Sequence, residues 1–167
     1  QRNIAYDNSL KLGSIRLTQR FFKDGLTAAK QVKACRQFIR GFMQHVIRES
    51  GKHKFEAAVG SSGTILNIAS IINFKRGGNA DIKLNNFTFT KDELAGVVDD
   101  ILEAKTLKQR YKIPGLDEDR ADIITAGALI VEQIFKELKI KEMTVSEYSL
   151  REGIIFDTIE KLFMNKL

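Results

Sequence analysis

Among the residues of this chain, the run Gly60-Ser61-Ser62-Gly63-Thr64 has the types and spacing best suited to chemistry. It follows a strand-like stretch, Lys54 to Val59, and precedes helical spacing from Ile65 to Phe74. A helix that opens after a strand directs its first N–H groups outward, unpaired, and carries about half a positive charge at that end. Glycines there let an anion reach the backbone, and Ser61, Ser62 and Thr64 add hydroxyl donors, so phosphate is the ligand this pattern suits. No lysine precedes Thr64, which separates the loop from the Walker type. A tight strand-to-helix turn without a ligand uses the same residues, and spacing alone leaves both readings open.

Arg120 is the second candidate. It follows Pro114-Gly115-Leu116-Asp117-Glu118-Asp119, where its guanidinium could fork onto a phosphate or pair with Asp117 or Asp119. Arg151 and Glu152 near a helix start read as structural. His45 and His53 with the lone Cys35 make no zinc set of the usual spacing and no Ser/His/Asp arrangement. Asp99-Asp100 reads as a solvated helix face, and no carboxylate pair suggests a metal site or an acid–base couple. The catalytic residues are therefore unknown from this chain.

Composition limits the classes further. A formal net charge of +6 favours a polyanionic partner. No dense basic run with interleaved aromatics is present, so nucleic acid is not expected. No apolar run approaches the roughly 18 to 20 residues that cross a bilayer, and the N-terminus lacks the order of a signal peptide. A single cysteine requires no oxidising compartment, and a cytoplasmic location without membrane contact is expected.

The elements that must position these residues alternate strand and helix. Asn3 to Asp7 reads as extended from the start, as if continuing from sequence upstream, and Ser9 to Gly13 alternates in strand fashion. Ile15 to Phe22 reads as a short helix or turn. From Leu26 to Ser50, Val32, Cys35, Phe38, Ile39, Phe42, Met43 and Val46 form one helical stripe that Gly51 ends. Thr90 with Glu93 is a capping-box pattern opening a helix to about Ala104. Asp117 to Lys139 predicts one nearly all-apolar interior helix, Met143 to Ser146 a strand, and Leu150 to Met164 a final helix. No repeat or linker divides the chain, so residues 1–167 are expected to form a single α/β domain with a mixed sheet flanked by helices.

Four stretches, taken in order, resemble the exopolyphosphatase/guanosine pentaphosphate phosphatase family. They are Ser9 to Thr18, Gly60 to Thr64, Pro114-Gly115-Leu116 with Arg120 to Ile124, and Val145 to Gly153. Gln19 departs from an acidic residue common in the family, and Ser149 from a glycine. The resemblance implies a ribonuclease-H-like domain of the actin-like ATPase fold, with this chain being most of the second domain of a longer parent. It implies that a missing N-terminal domain supplies the catalytic glutamate and the carboxylates for Mg2+. The reaction it implies is magnesium-dependent hydrolysis of a terminal phosphoanhydride in polyphosphate or guanosine pentaphosphate, which the sequence does not separate. Gly60, Ser61, Ser62, Gly63 and Thr64 would hold phosphate oxygens, Arg120 would reach into the cleft, and Lys23 would touch the extended phosphate chain. A homodimer is one assembly the resemblance allows. The competing expectation is a non-catalytic polyphosphate- or alarmone-binding module of the same fold.

Overall fold

A computed structural model describes residues 4–164, so Asn3, at the head of the expected extended run, lies outside the described residues. In chain order the elements are α1 (Ser14–Phe21), α2 (Ala29–Ser50), β1 (Val59–Gly60), α3 (Gly63–Lys75), β2 (Thr88–Thr90), α4 (Lys91–Glu103), α5 (Leu107–Arg110), α6 (Ile124–Glu137), β3 (Glu142–Val145) and α7 (Leu150–Met164). A 3-10 turn, Glu118–Arg120, precedes α6. The sheet order is β1-β3-β2, with β1 parallel and β2 antiparallel to β3. That is the expected mixed sheet flanked by helices.

Three expectations change. Ser9 to Gly13 forms no strand, and Lys54 to Val59 pairs only at its end. β3, the sole partner of β1 among the described residues, is itself four residues long, so the ladder reaches back no further than the Ala58 carbonyl, which accepts the Thr144 N–H at 2.9 Å. The helix expected from Asp117 begins only at Ile124, because the Asp117 carboxylate accepts the Asp119 N–H and folds the chain into the 3-10 turn first. β2 went unread in the sequence: it has three residues, and Thr90 at its end is also the N-cap of α4. The capping box there forms as expected, with the Thr90 hydroxyl accepting from the Glu93 N–H. Ser149, the departure noted above, opens α7: its hydroxyl accepts the Arg151 N–H at 3.3 Å, and its N–H and hydroxyl both donate to the Glu152 carboxylate at 2.6 Å.

α6 is the axis of the core. Ile124, Thr125, Ala126, Gly127, Ala128, Leu129, Val131, Gln133 and Phe135 are all buried, packing against α1, α2, α3 and α4. The α2 stripe buries Val32, Cys35, Ile39 and Met43, and burial pushes the Cys35 thiol up to about 12. Phe42, expected in the stripe, is exposed. Phe89 of β2 stacks on Phe135, and Arg36 forks onto Glu132 with two 2.7 Å bonds that tie α2 to α6.

Arg110 is the unusual core residue, 1% exposed. Its guanidinium donates to the carbonyls of Ala121 (2.8 Å), Gly25 (2.9 Å) and Ala104 (3.2 Å), joining three loops. Burial lowers its pKa, opposed by the nearby Asp122 carboxylate. Arg110→Leu leaves three carbonyls short of a donor and should cost at least about 3 kcal/mol, read from the urea midpoint.

Glu93 sets an acid limit. The Arg76 side-chain hydrogen bonds hold its carboxyl down at about 2 against burial, with Thr90 helping. Because the folded pKa is depressed, the contribution is whole above the ordinary value near 4.5 and is lost as pH falls toward 2. Across that window the wild type should lose more stability than Glu93→Gln, measured by urea unfolding at each pH.

Candidate functional site

Two helix N-termini meet in one cavity of about 550 Å³, lined by Ser9 to Arg16, Ser62, Gly63, Thr64, Arg120 and Ile123. At α3, Ser62 is the N-cap and its hydroxyl accepts the Ile65 N–H at 3.1 Å. Among the described residues the Gly63 and Thr64 amides have no such acceptor, as expected of a first turn. At α1 the N-cap is Gly13, which has no side chain to offer, so the Ser14, Ile15 and Arg16 amides are equally unclaimed. The Ser14 and Thr64 hydroxyl oxygens lie 3.2 Å apart, joining the two ends.

The side chains that line the cavity include Lys11, Arg16 and Arg120 and no carboxylate or histidine. Its field is therefore of one sign, with amide dipoles and cations together favouring an anion. Such a wall can hold phosphate oxygens and absorb their charge; it offers no general base.

Arg120 reaches this place along α3. Gly115 adopts φ +84, where a Cβ would fall 2.7 Å from both the Ser70 carbonyl oxygen and the Phe74 ring, so only glycine lets the chain lie so close. One turn nearer the N-terminus, the Asn67 amide donates to the Gly63 carbonyl at 2.9 Å and accepts the Asp117 N–H at 2.8 Å. The 3-10 turn then sets the Arg120 guanidinium over Gly63, close enough that a Cβ on Gly63 would lie 2.8 Å from Cζ. The alternative reading, in which Arg120 pairs with Asp117 or Asp119, is not what the fold adopts. The Asp117 carboxylate is turned to the Asp119 N–H, and Arg120 forms no ion pair among the described residues.

The structure thus brings together Ser62, Gly63, Thr64 and Arg120. Gly60 lies behind them, where a Cβ would strike Met143 and Ile65, and the Ser61 hydroxyl is given to the Tyr148 carbonyl. Neither lines the cavity. Lys23 lines a separate cavity of about 700 Å³ with Thr18, Gln19, Arg110 and Asp122. Ser14, Asn67 and Gly127 were missed in the sequence. Only Gly13-Ser14 ahead of a short helix signalled a second N-terminus, and Asn67 and Gly127 carried no pattern at all. Gly127 is where α6 meets both helix ends: a Cβ there would lie 2.6 Å from the Thr64 hydroxyl and 2.9 Å from that of Ser14. Among the described residues no three His, Cys, Asp or Glu side chains group to hold a metal ion. No helix among them is long and apolar enough to cross a membrane.

A family model described as the Ppx/GppA phosphatase family matches residues 2–162. A protein of Haemophilus influenzae named "Putative exopolyphosphatase" is 30% identical over 155 residues, covering 93% of this chain and 45% of that protein. The guanosine-5'-triphosphate,3'-diphosphate pyrophosphatase of Photobacterium profundum is 24% identical, covering 92% of this chain and 29% of its own length. This chain therefore spans less than half the length of these curated relatives. An exopolyphosphatase structure from Cytophaga hutchinsonii superimposes with TM-score 0.82 at 20% identity over 95% of this chain and 51% of that one. The Aquifex aeolicus member of the Ppx/GppA family gives 0.78 at 22%, over 92% and 48%. At such identities the likeness is one of fold, the actin-like ATPase α/β fold that the resemblance implied.

Two glycines in helices test the packing at the site. Gly127→Ala must push Thr64 and Ser14 aside and should cost about 1–3 kcal/mol. Gly41→Ala in α2 meets nothing within 4 Å, and should instead stabilise by about 0.5–1 kcal/mol. Thermal melts of the two variants should move in opposite directions.

Proposed function

The chain belongs to the Ppx/GppA phosphatase family, and from that premise we propose that it forms one wall of the phosphate-binding cleft of a longer exopolyphosphatase-type enzyme. The substrate would be inorganic polyphosphate or guanosine pentaphosphate, losing its terminal phosphate to water. The observation that carries this reading is the convergence of two helix N-termini and the Arg120 guanidinium on one cavity. Amides of Gly63, Thr64 and the first turn of α1 would take phosphate oxygens, with the Ser14 and Thr64 hydroxyls and Arg120 adding donors aimed at the charge that develops during transfer. Gly60 and Ser61 would shape the loop from behind. Lys23 would meet only a distal part of a long phosphate chain, since it lines a different cavity. Any magnesium would be held chiefly by carboxylates outside this chain.

Two surfaces support a partner domain completing the cleft. α7 exposes Leu150, Ile154, Ile155, Phe156, Ile159, Leu162 and Phe163, and none of its described side chains is buried. β1 pairs on one side only among the described residues, and the run Ala57 to Gly60 carries none of the charges or prolines that guard a free sheet edge. An N-terminal domain, or a second copy in a homodimer, would cover such surfaces. The lack of a carboxylate or histidine in the cavity also suits a non-catalytic polyphosphate- or alarmone-binding module, in which the same wall binds without hydrolysis.

Calorimetric titration of the chain with long-chain polyphosphate tests the site. Binding should weaken about tenfold or more in Arg120→Ala, the scale of one charge-assisted hydrogen bond. In Gly63→Val the new Cβ displaces the guanidinium, and a similar loss is expected. Equal binding by the wild type and both variants would remove the anion site from this cavity. Phosphate release by the longer parent but not by this chain alone would separate the enzyme from the binding module.

A further inference from the structure

We infer that Asn67 is a positioning residue for Arg120, an inference that rests on the phosphate-site reading above. Asn67 is 8% exposed, and its amide spends both ends on the backbone. Nδ2 donates to the Gly63 carbonyl at 2.9 Å and Oδ1 accepts the Asp117 N–H at 2.8 Å. Those two backbone groups belong to two of the elements that line the cavity: the first turn of α3, and the segment that carries Arg120. One planar amide therefore sets the spacing between the helix N-terminus and the guanidinium.

The alternatives for this spacing are weak. Arg120 is exposed, and among the described residues its side chain has no ion pair or hydrogen bond of its own to hold it. Between Gly115, locked on α3 by its left-handed backbone, and Ala121, buried in the core, the run 116–120 is half-buried or exposed. Within that run Leu116 packs against the core, and the Asp117 N–H to Asn67 bond is the one hydrogen bond to α3 among the described residues. Removing it frees the 3-10 turn to move while leaving both its flanks anchored. A long side chain such as arginine then spreads over several rotamers, and the entropy of ordering it falls on the ligand.

A generic loss of stability would look different, and α3 supplies its own control. Asn73, 5% exposed two turns further along, donates to the Asn79 carbonyl at 2.8 Å and touches neither Gly63 nor the segment with Arg120. Asn67→Ala and Asn73→Ala should each lower the urea midpoint. Only Asn67→Ala should weaken polyphosphate binding, by about fivefold. In an Arg120→Ala background the same change should weaken binding less than about twofold, because a residue acting through another has nothing left to act on. Side-chain 15N relaxation at Arg120 Nε gives a second reading that needs no ligand: its order parameter should fall in Asn67→Ala and hold in Asn73→Ala.

Additive affinity losses, an equal loss in Asn73→Ala, or an unchanged Arg120 order parameter in Asn67→Ala would each overturn the inference. If the wild type takes up no polyphosphate, the phosphate-site reading fails for the isolated chain, while the relaxation measurement still decides whether Asn67 holds Arg120.

Discussion

The strapping of residues 114–120 along α3 is the constraint on which the site depends. Three contacts, stepping up the helix toward its N-terminus, make the strap: Gly115 against Ser70 and Phe74, Asp117 against Asn67, and Arg120 over Gly63. The first is steric, since a left-handed residue 2.7 Å from a carbonyl oxygen admits no side chain. The second is a pair of hydrogen bonds from a buried amide, which the fold must satisfy once Asn67 is removed from water. The third has no bond of its own. Geometry fixed by the first two therefore delivers a cation to the end of a helix that is already electropositive.

That juxtaposition costs the fold stability. Two helix N-termini and three cationic side chains facing one cavity repel one another, and among the described residues the hydroxyls of Ser14 and Thr64 at 3.2 Å are the only direct bond between the two ends. What holds them is packing behind the site. Ala126, Gly127 and Ala128 give α6 a narrow waist, and at Gly127 the two helix ends come within 3 Å of where a Cβ would be. A same-sign site held together by close helix packing is preorganised: the cost is met in folding and is relieved when an anion enters.

Much of this was legible in the chain and some was not, for physical reasons. Long helices with one wet face announce themselves by spacing, so α2 and α4 read well, and the box at Thr90 and Glu93 marked its boundary. Strands did not. β1 and β2 are two and three residues long, too short for alternation to show, and Ser9 to Gly13 alternates without any strand to pair with. The helix expected from Asp117 starts only at Ile124 because a single side-chain cap folds the polar run Asp117 to Arg120, which has no apolar residue to mark the boundary, into a 3-10 turn. At the site, loop chemistry gave Ser62, Gly63 and Thr64. Asn67, Ser14 and Gly127 are ordinary residue types whose meaning lies in contacts 50 or more positions away in the chain. Lys23 was assigned by resemblance, and the fold turns it toward another cavity.

A cavity walled by amides, hydroxyls, lysine and arginine can perform only the electrostatic half of phosphoryl transfer. In the proposed role it would bind the phosphate chain, orient the terminal phosphorus and take up charge on its equatorial oxygens. Orienting the attacking water requires an acceptor in line with the breaking bond, and no carboxylate or imidazole lines this wall. The missing half of the chemistry and the uncovered apolar surfaces of α7 and β1 thus make the same demand. A body that covered α7 and extended the sheet past β1 is one that could also bring the acceptor that this wall does not have.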